Sequence, residues 1–326
     1  MRSMHGSGNQ PQTTRRLQAD ADGIAEAAEL LRAGRLVALP TETVYGLGAD
    51  ARDDRAVAAI FAAKDRPAFN PLIVHVADTA QAHEFVVFPD AAEKLADAFW
   101  PGPMTLALPL RANTGIAPLV TAGLSTLAIR VPAHATAQAL LGRFGGPVAA
   151  PSANPSGRIS PTLADHVLAG LDGRIAAVLD AGPCDVGLES TIIGFDVTGR
   201  AVLLRPGGVA ADAIEDVLRA PLLLADPAGG ITAPGQILSH YAPRGSVRLN
   251  ALRPKSGEVM LGFGPVTGDL TLSATGDLVE AAAMLFQRFH ELDALGATNI
   301  AVAPIPDHGL GLAINDRLRR AAAPRG

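Results

Sequence analysis

The sequence predicts two units: a larger α+β domain built on a mixed, twisted sheet, and a small α/β unit behind it. Three observations lead there. The chain has 326 residues, about twice the usual length of one domain. Up to residue 205, short apolar β-branched runs mix with helical patterns, without the strict alternation of a doubly wound sheet. After Pro221 the periodicity gives way to Asp226-Pro-Ala-Gly-Gly230 and Ala233-Pro-Gly235, the breakers expected of an interdomain linker.

In chain order, residues 1–18 are polar and lack an apolar centre, so they are expected to be a disordered leader. Ile24, Ala27, Ala28, Leu30 and Leu31 recur at helical spacing up to Gly34. Leu36–Leu39 reads as a buried strand, Ala56–Ala63 as a helix that delivers Lys64, and Leu72–Val76 as a returning strand. Further strands are expected at Met104–Leu110, Ser125–Val131, Val148–Ala150, Ala176–Asp180, Ser190–Phe195 and Ala201–Arg205. A helix over Thr162–Ala169 is opened by Ser160-Pro161, which suits an N-terminus. The first domain is expected to span residues 19–220, with a linker or lid at 221–245 and the second unit at 246–326. That unit should hold strands at Val247–Leu249, Glu258–Phe263, Leu270–Leu272 and Ile300–Ala303, with helices at Gly276–Leu295 and Leu310–Ala322.

Polar residues gather where these apolar runs end. They are Pro40-Thr-Glu-Thr-Val-Tyr-Gly-Leu-Gly48, Lys64-Asp-Arg-Pro-Ala-Phe-Asn-Pro-Leu-Ile-Val-His75, Pro151-Ser-Ala-Asn-Pro-Ser-Gly157 and Glu189-Ser-Thr191. A rigid sheet can aim side chains at a ligand from such positions. Lys64 and Arg66, two apart on a non-helical segment, can converge on one polyanion as a point charge and a planar fork. Both are expected to face solvent in a cleft; a solvated surface pair is the plainer explanation. Ser152 and Asn154 lie between Pro151 and Pro155, which hold the loop open. Their hydroxyl and amide suit phosphate or ribose, and an Asx turn explains them equally well. His75 could equally be a satisfied core residue, Arg205 a strand-end surface arginine and Tyr241 a surface-loop tyrosine.

Composition removes several classes. No apolar stretch is long enough to cross a bilayer, so a soluble protein is expected. The single cysteine, Cys184, excludes a disulfide framework or a Cys-rich zinc site and fits a reducing cytoplasm. A net charge of −5 argues against nucleic-acid binding over the whole surface but allows a local basic cleft. Only 3 of the 27 basic residues are lysines, and one of them is Lys64. A P-loop, a dinucleotide-binding glycine fingerprint, a His-Glu-x-x-His helix and a Gly-x-Ser-x-Gly elbow are all missing.

Taken together and in this order, the four motifs resemble the YrdC-like domain of the threonylcarbamoyl-AMP synthase family over roughly residues 20 to 210. Gly235-Gln-Ile-Leu-Ser-His-Tyr-Ala-Pro243 and the tail resemble the linker and the Rossmann-like second domain of its long form. One departure is that Gly235–Ser239 stands where the long form often carries a Lys-Tyr-containing stretch. The resemblance implies a YrdC-like fold and the condensation of L-threonine, bicarbonate and ATP to threonylcarbamoyl-AMP and pyrophosphate. It assigns catalysis to Lys64 and Arg66 and the ATP site to Arg66, Asn70, Thr126, Asn154, Thr162, Arg205 and Tyr241. The L-threonine pocket would be Thr43, His75, Arg130, Ser152 and Ser190. Magnesium is expected to travel with ATP, held mostly by phosphates and water with no protein ligand named, and no tightly bound organic cofactor is expected. The product would feed threonylcarbamoyl modification of a tRNA adenosine, with tRNA and downstream transferase proteins as further partners. The alternative is a YrdC-like module that binds double-stranded RNA or tRNA without adenylation.

Overall fold

The computed structural model describes residues 13–225, 233 and 240–324. The first helix, α1 (Ala21–Arg32), follows strand β1 (Arg15–Gln18); β2 (Val37–Leu39), β3 (Gly46–Asp50), α2 (Asp54–Lys64) and β4 (Ile73–His75) come next. Asp20 and Asp53 start the two helices by accepting backbone N–H groups of the first turn. Then come α3 (Thr79–Phe85), α4 (Asp90–Phe99), β5 (Met104–Pro109), α5 (Pro118–Thr121), β6 (Thr126–Arg130), α6 (Ala135–Phe144) and β7 (Val148–Ala149). The large unit closes with α7 (Ala164–Leu171), β8 (Ala177–Asp180), β9 (Thr191–Phe195), β10 (Ala201–Arg205), α8 (Ala211–Leu218) and β11 (Leu223–Leu224).

These strands form one mixed sheet in the order β1-β8-β2-β3-β7-β4-β6-β5-β9-β10-β11. Its apolar strands and the inner faces of the helices make the main core, in which Leu47, Ile60, Val74, Leu106 and Ile129 are fully buried. The expectation of a disordered leader through residue 18 is corrected. Arg15–Gln18 pairs in parallel with β8, and Thr14 is tied to Ile175 and Gly173; residues 1–12 lie outside the described part. Helix α7 begins at Ala164, two residues later than the pattern suggests. Ser160 and Thr162 stay out of it because their polar groups have other partners, Glu189 and His166.

The second unit contains β12 (Ser246–Arg248), β13 (Val259–Gly262), β14 (Leu270–Thr271), α9 (Leu278–Ala294), β15 (Asn299–Val302) and α10 (Gly311–Ala322). Its four strands are all parallel, in the order β12-β15-β13-β14. The α+β expectation for the first unit and the small α/β unit behind it both hold. Of the proposed linker, residues 226–232 and 234–239 lie outside the described part. Its beginning, β11, pairs with β10 of the large sheet.

The two units pack closely. A Cβ at Gly187 would stand 2.5 Å from the Ala283 backbone of α9, and its φ is +70°, so glycine is required there on both counts. The His166 and His290 rings stack across the contact with centroids 3.7 Å apart. His290 Nε2 meets the Ser160 carbonyl at 3.1 Å.

Candidate active site

A pocket opens on the sheet near the ends of β4 and β6 and the start of β9, lined also by the Pro151 loop and Tyr241. Parallel pairing of β4 with β6 sets His75 beside Arg130. Ser190, just ahead of β9, adds a hydroxyl held 2.7 Å from that of Thr105. In the turn between β2 and β3, Thr41 accepts the backbone N–H groups of Thr43 and Val44. This fixes the Thr43 hydroxyl where Arg130 Nη1 donates to it at 2.8 Å. Behind them Glu42 pairs with Arg130 Nη2 at 2.6 Å, both side chains buried. Burial and the adjacent Arg130 charge pull the His75 pKa down to about 3, so its imidazole is neutral at physiological pH.

The opposite wall is cationic. Arg66 lines it, half-buried, with Nη2 donating to the Pro71 carbonyl at 2.8 Å and Nε to that of Asn70 at 3.3 Å. Arg205, at the end of β10, donates to the Ser190 carbonyl at 2.8 Å and to its hydroxyl at 3.2 Å. Gly207 makes this approach possible, because a Cβ there would lie 2.3 Å from the Glu189 carbonyl. Burial, opposed by Tyr241 and reinforced by Arg205, lowers the Arg66 pKa to about 10. His240 is driven well down by burial and by Arg66, Lys64, Arg317 and Arg205. An anion entering here would relieve that mutual repulsion.

Thr43, Arg66, His75, Arg130, Ser152, Ser190, Arg205 and Tyr241 thus meet at one cavity, as do the unpredicted Thr41, Glu189 and His240. The other expected residues stand elsewhere. Lys64 is 1% exposed, so its expected place in a solvent-facing cleft is corrected. Its ammonium sits under the Pro151 loop, donating to the Ser152 and Asn154 carbonyls and to Asn154 Oδ1. Burial, with Arg66 nearby, lowers its pKa well below the usual lysine value. Asn154 faces inward as well, its amide holding the Pro155 and Arg158 carbonyls. Asn70 is buried beside Arg66, and Thr162 is buried next to His166.

Thr126 opens β6, four residues from Arg130 and about 13 Å along the strand. It lines a separate hollow with Ala107, Gly194 and Leu204. Between the two hollows Ala128 packs with Ile73, Ala107 and Ile192 beneath Ala233.

The residues missed by sequence reasoning are mostly carboxylates and their partners. Glu189 accepts from the Ser160 hydroxyl at 2.5 Å and from Arg317 Nε at 2.8 Å. Arg317 comes from α10 and is 0% exposed. The available signal was an arginine within an apolar stripe, since Ile314, Leu318 and Ala321 flank it at helical spacing. Tyr241 lies between Arg317, whose guanidinium is 5.0 Å from the ring centroid, and Phe286 of α9. Among the described residues, buried side-chain atoms of His75, His240 and Tyr241 at this cavity find no hydrogen-bond partner. Such orphans are rare in folded proteins, and several at one cavity suit a polar ligand.

Residues 29–207 match the Sua5, YciO and YrdC family model, described as Telomere recombination. Residues 209–323 match the model described as Threonylcarbamoyl-AMP synthase, C-terminal domain. The chain belongs to this family, in the form that carries both domains. The threonylcarbamoyl-AMP synthase of Bacillus subtilis is 40% identical, with 96% of each chain covered. That of Pyrococcus abyssi is also 40% identical, over 92% of this chain and 94% of that one. The crystal structure of P. abyssi Sua5 complexed with L-threonine superposes with a TM-score of 0.86 at 37% identity, covering 95% of this chain and 97% of that one. Escherichia coli YciO shares the fold of the large unit, with a TM-score of 0.54 over 60% of this chain.

Proposed function

We propose that this chain is an L-threonylcarbamoyladenylate synthase, joining L-threonine, bicarbonate and ATP into threonylcarbamoyl-AMP with release of pyrophosphate and water. The observation that carries the reading is the sorting of charge within one cavity. At the Thr43, His75, Arg130 and Ser190 end, Glu42 offsets the arginine and the imidazole is neutral, which suits a small zwitterion. At the Arg66 and Arg205 end positive charge accumulates, which suits a triphosphate.

The amine of threonine takes up carbon dioxide from bicarbonate, losing a proton and giving a carbamate. A carbamate oxygen then attacks the α-phosphorus of ATP, forming the new P–O bond as the bond to pyrophosphate breaks. Among the described residues no side chain at the cavity is placed as a covalent nucleophile, so the rate comes from positioning and from neutralising phosphate charge. Arg130, with Thr43, orients the amino acid; Arg66 and Arg205 meet the phosphates. Lys64 holds the Ser152–Asn154 loop that forms the wall between the two substrates. Glu42 and Glu189 are each committed to an arginine, so magnesium would ride on the phosphates and water. Tyr241 covers the nucleotide end, excluding water from an easily hydrolysed mixed anhydride. The cytoplasm is the proposed location. The product's reactivity calls for a transferase that passes the threonylcarbamoyl group to a tRNA adenosine, which makes tRNA and that transferase the proposed partners. No helix among the described residues is long and apolar enough to cross a membrane.

Pyrophosphate release measured across the twenty amino acids, with and without bicarbonate, tests the reading. Threonine with bicarbonate should give the highest rate. Serine should be slower, by about 10- to 200-fold for the one methyl lost. Equal turnover with alanine, or turnover independent of bicarbonate, overturns it.

A further inference from the structure

Arg317 and Glu189 come from different units, α10 and the loop before β9, and pair in a fully buried position. Arg317 does not line the cavity, whereas Glu189 does, together with Arg66 and Arg205. A carboxylate on that wall would compete with an incoming phosphate for the same guanidinium groups. Two partners outside the cavity hold it back, Ser160 of the large unit and the charged Arg317 of the C-terminal unit. Nε of Arg317 takes one carboxylate oxygen at 2.8 Å while the Ser160 hydroxyl takes the other. Arg317 is itself fixed from behind, with Nη1 on the Pro206 carbonyl at 2.9 Å and on Asp316 at 2.8 Å.

We propose that Arg317 is a positioning residue of the nucleotide site, supplied by the C-terminal unit, which holds the Glu189 carboxylate away from Arg66 and Arg205 so that the phosphates of ATP meet those arginines. The proposal rests on reading this cavity as the ATP site. It gives the C-terminal unit a defined part in substrate binding, since deleting α10 would release a negative charge into the cavity. A tie that merely joined the two units would register in the melting temperature alone, whereas here ATP affinity itself depends on the charge of Glu189.

That dependence is the test. ATP binding by titration calorimetry, with KM for ATP beside it, is compared in the full chain for Arg317→Met, Glu189→Gln and the two together, with melting curves as a check on folding. Arg317→Met should weaken ATP binding by about tenfold or more, and adding Glu189→Gln should restore most of it, because the competing charge is gone. Arg317→Lys, which keeps the cation but loses the planar fork, should bind ATP more tightly than Arg317→Met and more weakly than wild type. If Arg317→Met does not fold, Arg317→Gln keeps a donor for Glu189 without the charge and carries the same comparison. The proposal is overturned if the double variant binds ATP as weakly as the single one, or if removing the charge of Arg317 leaves ATP binding unchanged. Failure of the underlying reading looks different, since the wild-type chain would then not bind ATP at all.

Discussion

Lys64 and Arg66 are two residues apart, yet they belong to different regions of the molecule. Lys64 ends α2 and points inward, its ammonium among the carbonyl oxygens of the Ser152–Asn154 loop. Arg66 follows a left-handed residue, Asp65, with φ of 51°, which turns the chain so that the guanidinium reaches the cavity wall. The cage is made of two backbone oxygens and one side-chain oxygen; the wall shares its edge with His75, Arg205 and Tyr241. The lesson is that a cation in a motif can serve a ligand in two ways. It can touch the ligand, or it can build the loop that does.

Substitution separates the two regions. Lys64→Met leaves buried carbonyl oxygens without a donor and should destabilise the fold by about 3 kcal/mol or more, seen as a clear fall in melting temperature. Arg66→Ala should leave melting within about 1 kcal/mol of wild type and lower kcat/KM at least about 100-fold. If Lys64→Met melts like wild type, the cage is not structural. If Arg66→Ala keeps full turnover, the wall is not catalytic.

Acid sharpens the same contrast at the threonine end. The folded pKa of His75 is depressed to about 3, below the unfolded value of about 6.5. Unfolding therefore takes up a proton at mildly acidic pH. Its contribution to stability is complete above the unfolded pKa and is lost as pH falls from there toward the folded value. His75→Gln should reduce the loss of stability between about pH 7.5 and pH 5 by roughly 2 kcal/mol. Parallel pH–stability curves for the two proteins would contradict a buried neutral imidazole.

The smallest effect is expected at Tyr241, whose hydroxyl is buried without a hydrogen-bond partner among the described residues. Tyr241→Phe should leave stability within about 1 kcal/mol or raise it slightly, while weakening ATP binding by about fivefold. Destabilisation well beyond that, with ATP binding intact, would make the hydroxyl a structural group.

Much of this protein was legible in the sequence, and the parts that were share a cause. Helices α1, α2 and α7, strands β2 and β4 to β10, and the elements from β12 to α10 follow from apolar periodicity, a local property of the chain, whereas β3 and α3 to α6 were not read from it. The linear motifs likewise placed Thr43, His75 and Ser190 at strand ends and turns, where the sheet brings them together. Short edge elements escaped. Arg15–Gln18 shows no apolar alternation and becomes a strand only because β8 offers it a partner. Direction and pairing of charge escaped too. Whether Lys64 points at a ligand or at carbonyl oxygens depends on where the Pro151 loop lies, 88 residues away along the chain. That Glu189 is matched by Arg317, 128 residues further on, depends on the docking of one unit on the other. The sequence by itself determined the elements, the motifs and the chemistry they could support. Only the tertiary structure decided which charges face the cavity and which are spent holding its walls, because burial and Coulomb interaction depend on distances in space that no spacing along the chain records.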